Sequence, residues 1–301
     1  RRAPPVGVGG GASRPPPVGQ VRRRFVTVRG VRFHVTESGP EDGRPVVALH
    51  GWPQHHWVYR DLLADPPPGL RIIAPDLPGY GWSGSPPHRW QKEEVVSDLV
   101  ALLDALRVDR FLLVGHDWGG FIGYLMTLRI PERIDGYLAL NIAHPWVPPK
   151  VMLRHSWRFL TYQPLIAIAG VPVQRHTSFL DRAYRRVSVL DPQTARVYTD
   201  RFRDPVVART ARDTYRTFLF REIPKLSRTG ERRRATVPIR VLFGKDDVAI
   251  APELAAAETA RADDYKMEIV DGGHFIADEQ PDLVRAKLIA LAAEFPATAA
   301  K

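Results

Sequence analysis

The sequence predicts an α/β chain: a mostly parallel sheet flanked by helices, interrupted once by an inserted helical cap. Short apolar runs at 46–49, 71–74 and 111–114 alternate with helix-like stretches, the pattern of a parallel sheet covered on both faces. The alternation lapses between Asn141 and about Ala235 and resumes at Val237-Pro238-Ile239-Arg240-Val241. A chain of 301 residues, 44% hydrophobic and 25% charged, has the composition of a globular protein with one large core.

Taken in order, residues 1–24 form a Pro-, Gly- and Arg-rich stretch with Val8-Gly9-Gly10-Gly11 and Arg14-Pro15-Pro16-Pro17. It has no periodic apolar face and is expected to be a flexible extension. Its two leading arginines are not followed by a continuous apolar run, so it does not read as a signal peptide. Phe25-Val26-Thr27-Val28, the turn Arg29-Gly30 and Val31-Arg32-Phe33-His34-Val35-Thr36 read as an antiparallel hairpin. Residues 90–107 are the clearest helix, with Val95, Val96, Leu99, Leu102, Leu103 and Leu106 at three- and four-residue spacing. In the turn-rich loop 75–83, Asp76 is expected to hold the loop together. The expected division is a core of 25–143 with 236–301 and a cap of 144–235.

The charge of +10 comes mostly from arginine interspersed with acidic residues. Without zinc-ligand spacing, an aromatic RNA-binding motif or a separate helix-turn-helix, it reads as a solvated surface, and no nucleic-acid partner is expected. Apolar stretches such as Leu165-Ile166-Ala167-Ile168-Ala169 are far below the roughly 20 residues of a membrane span. With no cysteine there is no disulfide framework or thiolate metal site. A reducing compartment fits, and a cytoplasmic location is expected. A homo-oligomer is compatible with the sequence.

The chemistry is concentrated in four turns. Gly115-His116-Asp117-Trp118-Gly119 follows the apolar run Phe111-Leu112-Leu113-Val114 and opens a helix-like stretch. It has the form of a nucleophile elbow, usually G-x-S-x-G, with a carboxylate at the nucleophile position. A carboxylate is a better leaving group than the alkoxide or amine of an ester or amide. It can, however, displace at an sp³ carbon and become an ester, so the substrate is expected to be an alkylating electrophile. Leu49-His50-Gly51-Trp52-Pro53 should aim the Trp52 backbone N–H at the elbow, with that of Trp118 as the second oxyanion donor. Gly244-Lys245-Asp246-Asp247 ends an apolar run and offers Asp247 as the triad acid, with Asp246 as its competitor. Gly272-Gly273-His274-Phe275 supplies the base, His274. His50 and His116 are expected to pack or hydrogen-bond within their own turns.

These four motifs, in this order, resemble the α/β-hydrolase fold epoxide hydrolases and are similar at one remove to the haloalkane dehalogenases. The likeness extends from about Arg24 to Pro296. It implies conversion of an epoxide and water to a vicinal diol, a detoxifying reaction, through an ester on Asp117. Water activated by His274 with Asp247 would hydrolyse that ester, with no metal or organic cofactor. It also implies a cap with two tyrosines that grip the epoxide oxygen. Tyr162, in Thr161-Tyr162-Gln163-Pro164, and Tyr215, before the return to the sheet, fit those positions, and Tyr184 and Tyr198 do not. Trp52, Trp118 and Phe275 suggest a pocket for a small apolar or aromatic epoxide.

A haloalkane dehalogenase is the alternative, since it shares the Asp-His-acid set and a residue like Trp118 helps to bind halide. That family usually has a small polar or acidic residue where Trp52 stands and does not require the tyrosines. Fluoroacetate-type dehalogenases normally follow the nucleophile with arginine, where this chain has Trp118. A ligand-binding protein on the same scaffold, without turnover, is the remaining reading.

Overall fold

A computed structural model describes residues 14–187, 190–257 and 259–296. Residues 1–13 of the expected N-terminal extension lie outside the described residues. Eight strands form one sheet: β1 (Arg22–Val28), β2 (Val31–Ser38), β3 (Arg44–Leu49), β4 (Leu70–Pro75), β5 (Phe111–His116), β6 (Ile134–Leu140), β7 (Ile239–Gly244) and β8 (Tyr265–Val270). Their order is β1-β2-β4-β3-β5-β6-β7-β8. Strand β2 pairs antiparallel with β1 and β4, and the remaining ladders are parallel. The mostly parallel sheet expected from the alternating apolar runs is present.

The hairpin turns at Arg29 (φ 49°) and Gly30 (φ 78°), the two successive positive φ values that match the twist of flanking strands. Strand β1 begins at Arg22, inside the stretch expected to be an extension, and Val18 before it is buried. Arg22, Arg23 and Arg24 hide that start because they project from an edge strand without apolar alternation, Arg24 pairing with Glu37. Charge on such an edge discourages pairing with another sheet.

Alternate residues of the central strands feed opposite faces. Val47, Leu49, Phe111 and Leu113 face one core layer, while Val46, Ala48, Leu112 and Val114 face the other. The first layer is covered by α2 (Lys92–Ala105) and α3 (Asp117–Arg129), through residues such as Leu99, Leu102 and Ile122. On the second face lie α1 (Arg60–Ala64), α11 (Ile276–Glu279) and α12 (Pro281–Glu294), contributing Leu62, Ile276 and Leu288. Between them in sequence is the short α10 (Glu253–Ala256).

From β6 to β7 the chain leaves the sheet through α4 (Pro149–Leu160), α5 (Gln163–His176), α6 (Phe179–Val187), α7 (Pro192–Thr199), α8 (Pro205–Thr217) and α9 (Ile223–Thr229). Helices α5 and α8 bring Ile166 and Ala167 together with Val207 and Ala211 in the core that also holds Trp52 and Trp118. These helices thereby lie over the C-terminal ends of β3 and β5. In a parallel sheet, those ends are where ligand-binding crevices form.

Asp76 ties three segments together. Its carboxylate accepts the His34 Nδ1–H at 2.9 Å, the His56 ring and backbone N–H groups at 2.8 Å each, and the Trp82 N–H at 3.0 Å. Burial by itself pushes the carboxyl up, but His56 and His34 hold it well below the usual range.

Candidate active site

Asp117 follows the last residue of β5 and starts α3, with φ +49° and almost complete burial. A non-glycine residue in that left-handed region is strained, and close packing over-determines it. A Cβ on Gly119 would run into the carbonyls of Leu49 and His50, and one on Gly51 into the Asp117 side chain. The small residues of the two turns thus let the β3 and β5 loops meet at the carboxylate. Its Oδ1 accepts the Trp52 backbone N–H at 2.9 Å, and its Oδ2 lies 3.6 Å from His274 Nε2. The second separation is longer than a hydrogen bond.

His274 hydrogen-bonds through Nδ1 to Asp247 Oδ2 at 2.8 Å. The other Asp247 oxygen accepts the N–H groups of Ala249 and Ile250 at 2.8 and 2.9 Å. Asp246 is exposed, and Asp247 is the carboxylate brought to the imidazole. Burial opposes charge on both groups. The pair nevertheless holds Asp247 below its ordinary range, while the charge and hydrogen bond of Asp247 and the nearby Asp117 carboxylate push His274 up to about 10. The imidazole is therefore cationic at neutral pH and the Asp247 carboxylate beside it is ionised.

Tyr162 and Tyr215 come together from α5's leading edge and α8. The Tyr162 ring stacks on Trp52 at 5.9 Å, and the Tyr215 ring meets Trp52 edge-on at 5.4 Å and Trp118 at 5.5 Å. The two tyrosines themselves are 5.8 Å apart. Burial raises both hydroxyl pKa values, and the negative charge of Asp117 raises them further. Both hydroxyls are thus protonated donors close to the carboxylate. Tyr184 and Tyr198 stack on each other away from this group, Tyr198 donating to Asp278.

A cavity of about 490 Å³ reaches Asp117 and His274. Trp52, Tyr162 and Phe275 line it with Trp157, Tyr184 and Val248, a largely apolar wall. Trp118, expected to line it too, does not. Its indole is packed behind Tyr215, against Phe121 and Phe218, with Lys92 Nζ 4.3 Å from the ring centroid.

Several supporting residues were missed or misread from sequence. Asn141, at φ +44° just after β6, donates to Asp247 Oδ2 at 2.8 Å and to the Gly273 carbonyl at 3.1 Å. His116 does not bond within its own turn: its Nε2 meets the His274 carbonyl at 2.8 Å, across 158 residues. Burial lowers the His116 pKa to about 4, so Nε2 carries the proton of a neutral ring and donates it. His50 does bond locally, to the Gly51 carbonyl, and also accepts the Leu77 N–H at 2.9 Å. Lys92 is buried and paired with Glu222 of the insertion at 2.7 Å. A strand-end asparagine was the available signal for Asn141; the other partners are distant in sequence.

Residues 44–281 match the family described as the alpha/beta hydrolase fold. The chain belongs to that family. Among its relatives, mouse "Epoxide hydrolase 4" is 28% identical over 284 residues, covering 88% of this chain and 77% of the relative. The AB hydrolase superfamily protein YfhM of Bacillus subtilis is 25% identical over 284 residues, covering 89% of this chain and 97% of that protein. The crystal structure of an epoxide hydrolase from Vigna radiata superposes with a TM-score of 0.74 at 22% identity, covering 91% of this chain and 98% of that one. This likeness extends the shared fold to the helical insertion as well as the sheet. No helix among the described residues of this alpha/beta hydrolase fold protein is long and apolar enough to cross a membrane.

Proposed function

We propose that this chain is an epoxide hydrolase that opens a small apolar or aromatic epoxide to a vicinal diol through an ester on Asp117. The observation that carries this reading is the buried carboxylate of Asp117, with one oxygen held by the Trp52 N–H and the other facing His274 beneath Tyr162 and Tyr215. Asp117 Oδ2 attacks an epoxide carbon, the C–O bond breaks, and a tyrosine hydroxyl donates its proton to the leaving oxygen. Preorganised donors of this kind are each worth about 3 kcal/mol. The proton lost by the tyrosine is restored from the His274 imidazolium.

Ester formation removes the charge of Asp117 and with it part of what raises the His274 pKa. Neutral His274, oriented by Asp247, then takes a proton from water as that water attacks the ester carbonyl. The Trp52 and Trp118 N–H groups receive the oxyanion. Collapse expels the diol alkoxide, which takes the remaining proton of the re-formed Asp117 carboxyl, so that the carboxylate is regenerated and His274 is left cationic. A core of 25–143 with 236–301 and a cap of 144–235, acting in the cytoplasm on a reactive electrophile, complete this reading.

The test is the covalent intermediate. His274→Gln should gain the mass of one intact epoxide on the peptide containing Asp117, and Asp117→Asn should gain none. In a single turnover in ¹⁸O-water, wild-type protein should label Asp117 and leave the first diol unlabelled. Label in that first diol, with no adduct on the His274 variant, would mean that Asp117 acts as a general base and that no ester forms. A haloalkane dehalogenase is the second reading, since the same Asp117, His274 and Asp247 set would serve it. Robust halide release from 1-haloalkanes with inert epoxides would select that reading, and binding of both without turnover would select a non-catalytic role.

A further inference from the structure

A second cleft, of about 880 Å³, lies between the loop 85–90 and the outer face of α8, and shares no lining residue with the cavity at Asp117. The buried side of α8 carries Ala208, Ala211, Thr214 and Tyr215. Arg209, Asp213, Arg216 and, one turn on, Phe220 follow the other side at helical spacing. Arg89 reaches the cleft from the loop, and Arg221 from the end of the helix.

These four arginines are unlike most of their kind in this chain. Arg233 is paired with Glu231 and Glu93, Arg240 with Asp264 and Glu294, and Arg201 with Asp204 and the Gly81 carbonyl. The side chains of Arg89, Arg209, Arg216 and Arg221 are exposed and have no hydrogen-bond or ion-pair partner among the described residues. The acid in the lining, Asp213, is held by Arg212 at 2.8 Å. Four uncompensated guanidinium groups around one concavity repel one another and concentrate positive potential there.

We infer that this cleft binds a polyvalent phosphate-bearing anion through Arg89, Arg209, Arg216 and Arg221. A single carboxylate engages one guanidinium fork, whereas a di- or polyphosphate presents enough oxygens for several bidentate contacts at once. The volume lies within the roughly 300–1,000 Å³ of small-molecule clefts. Phe220, 60% exposed, and the prolines Pro86 and Pro87 give an apolar wall for an organic group attached to the phosphate.

Calorimetric titration of the full chain with inorganic pyrophosphate, at fixed ionic strength, tests the assignment, with acetate as the monovalent control. Pyrophosphate should bind with a dissociation constant below roughly 1 mM, and acetate should not. The pair Arg209→Met with Arg216→Met should weaken pyrophosphate binding by about tenfold or more, and Arg89→Met should weaken it separately. Arg209→Lys with Arg216→Lys, which retains the charge, should keep part of the affinity, and thermal unfolding should show all the variants folded. Vesicles carrying a phosphorylated lipid headgroup distinguish the source of the anion. Vesicle binding that these substitutions weaken would support the assignment with a lipid headgroup as the source, whereas pyrophosphate binding that resists them, or affinity for pyrophosphate and vesicles no greater than for acetate, would overturn it.

Discussion

Asn141 donates its side-chain N–H to Asp247 Oδ2 at 2.8 Å while its own carbonyl accepts the Gly244 N–H at 3.2 Å. One amide thereby connects the end of β6 to the turn after β7 and completes the set of donors around the Asp247 carboxylate. Its φ of +44° is a conformation that asparagine tolerates better than most residues. The side chain is both a donor to the acid and a residue suited to that corner.

Asn141→Asp keeps the shape and the backbone tolerance but puts an acceptor where Asp247 needs a donor. Two adjacent buried carboxylates cannot both ionise easily, so one is held protonated. Epoxide turnover should fall by about 10–100-fold, the cost of losing one hydrogen bond to a charged group. Steady-state kinetics across pH, with the fold checked by circular dichroism, measures this. Unchanged turnover would show that Asn141 does not position the acid.

Tyr162→Phe or Tyr215→Phe should slow ring opening by about 10–1,000-fold, because each removes one donor to the developing alkoxide and retains the ring packing. The effect should appear in pre-steady-state alkylation of Asp117 and be small in hydrolysis of the ester. If Tyr184→Phe or Tyr198→Phe is the damaging change, the pair has been misassigned.

The elevated His274 pKa, about 10 against an ordinary 6.5, has a definite sign in stability. The folded state binds the proton more tightly, so the contribution is complete below pH 6.5 and is lost as pH rises through about 10. Urea unfolding of the wild type should weaken over that window, and His274→Gln should flatten the slope. Asp117→Asn, which imitates the uncharged ester, should lower the imidazole pKa in an NMR titration. An unmoved imidazole would remove the charge-switching step of the proposed cycle.

Asp76→Asn should cost about 3–5 kcal/mol of folding stability, the range for breaking a buried ionic network. It replaces a carboxylate that accepts from His34, His56 and Trp82. Denaturant titration measures it. A loss under 1 kcal/mol would mean that the histidines are satisfied without the charge.

Local pattern in the sequence was enough for the alternating strands and for the stripe of Val95, Leu99, Leu102 and Leu103 on α2. It was also enough for four turns whose small residues mark close approaches, because those signals depend on near neighbours in the chain. Asp117 and His274 were legible for the same reason, each following a strand at a turn, and so was the pair Asp246 and Asp247, of which Asp247 was preferred. Tertiary structure decided the rest. It brought Asp247, and not its exposed neighbour Asp246, against His274, and it packed Trp118 behind Tyr215 instead of along the cavity. It also turned His116 toward a carbonyl 158 residues away and placed Asn141 beside the acid. Such choices depend on which strand ends lie side by side in the β3-β5-β6-β7 order, and on which face of each turn is left for solvent. Side-chain partners selected by that adjacency have no periodicity along the chain, so only the folded sheet and its inserted helices determine them.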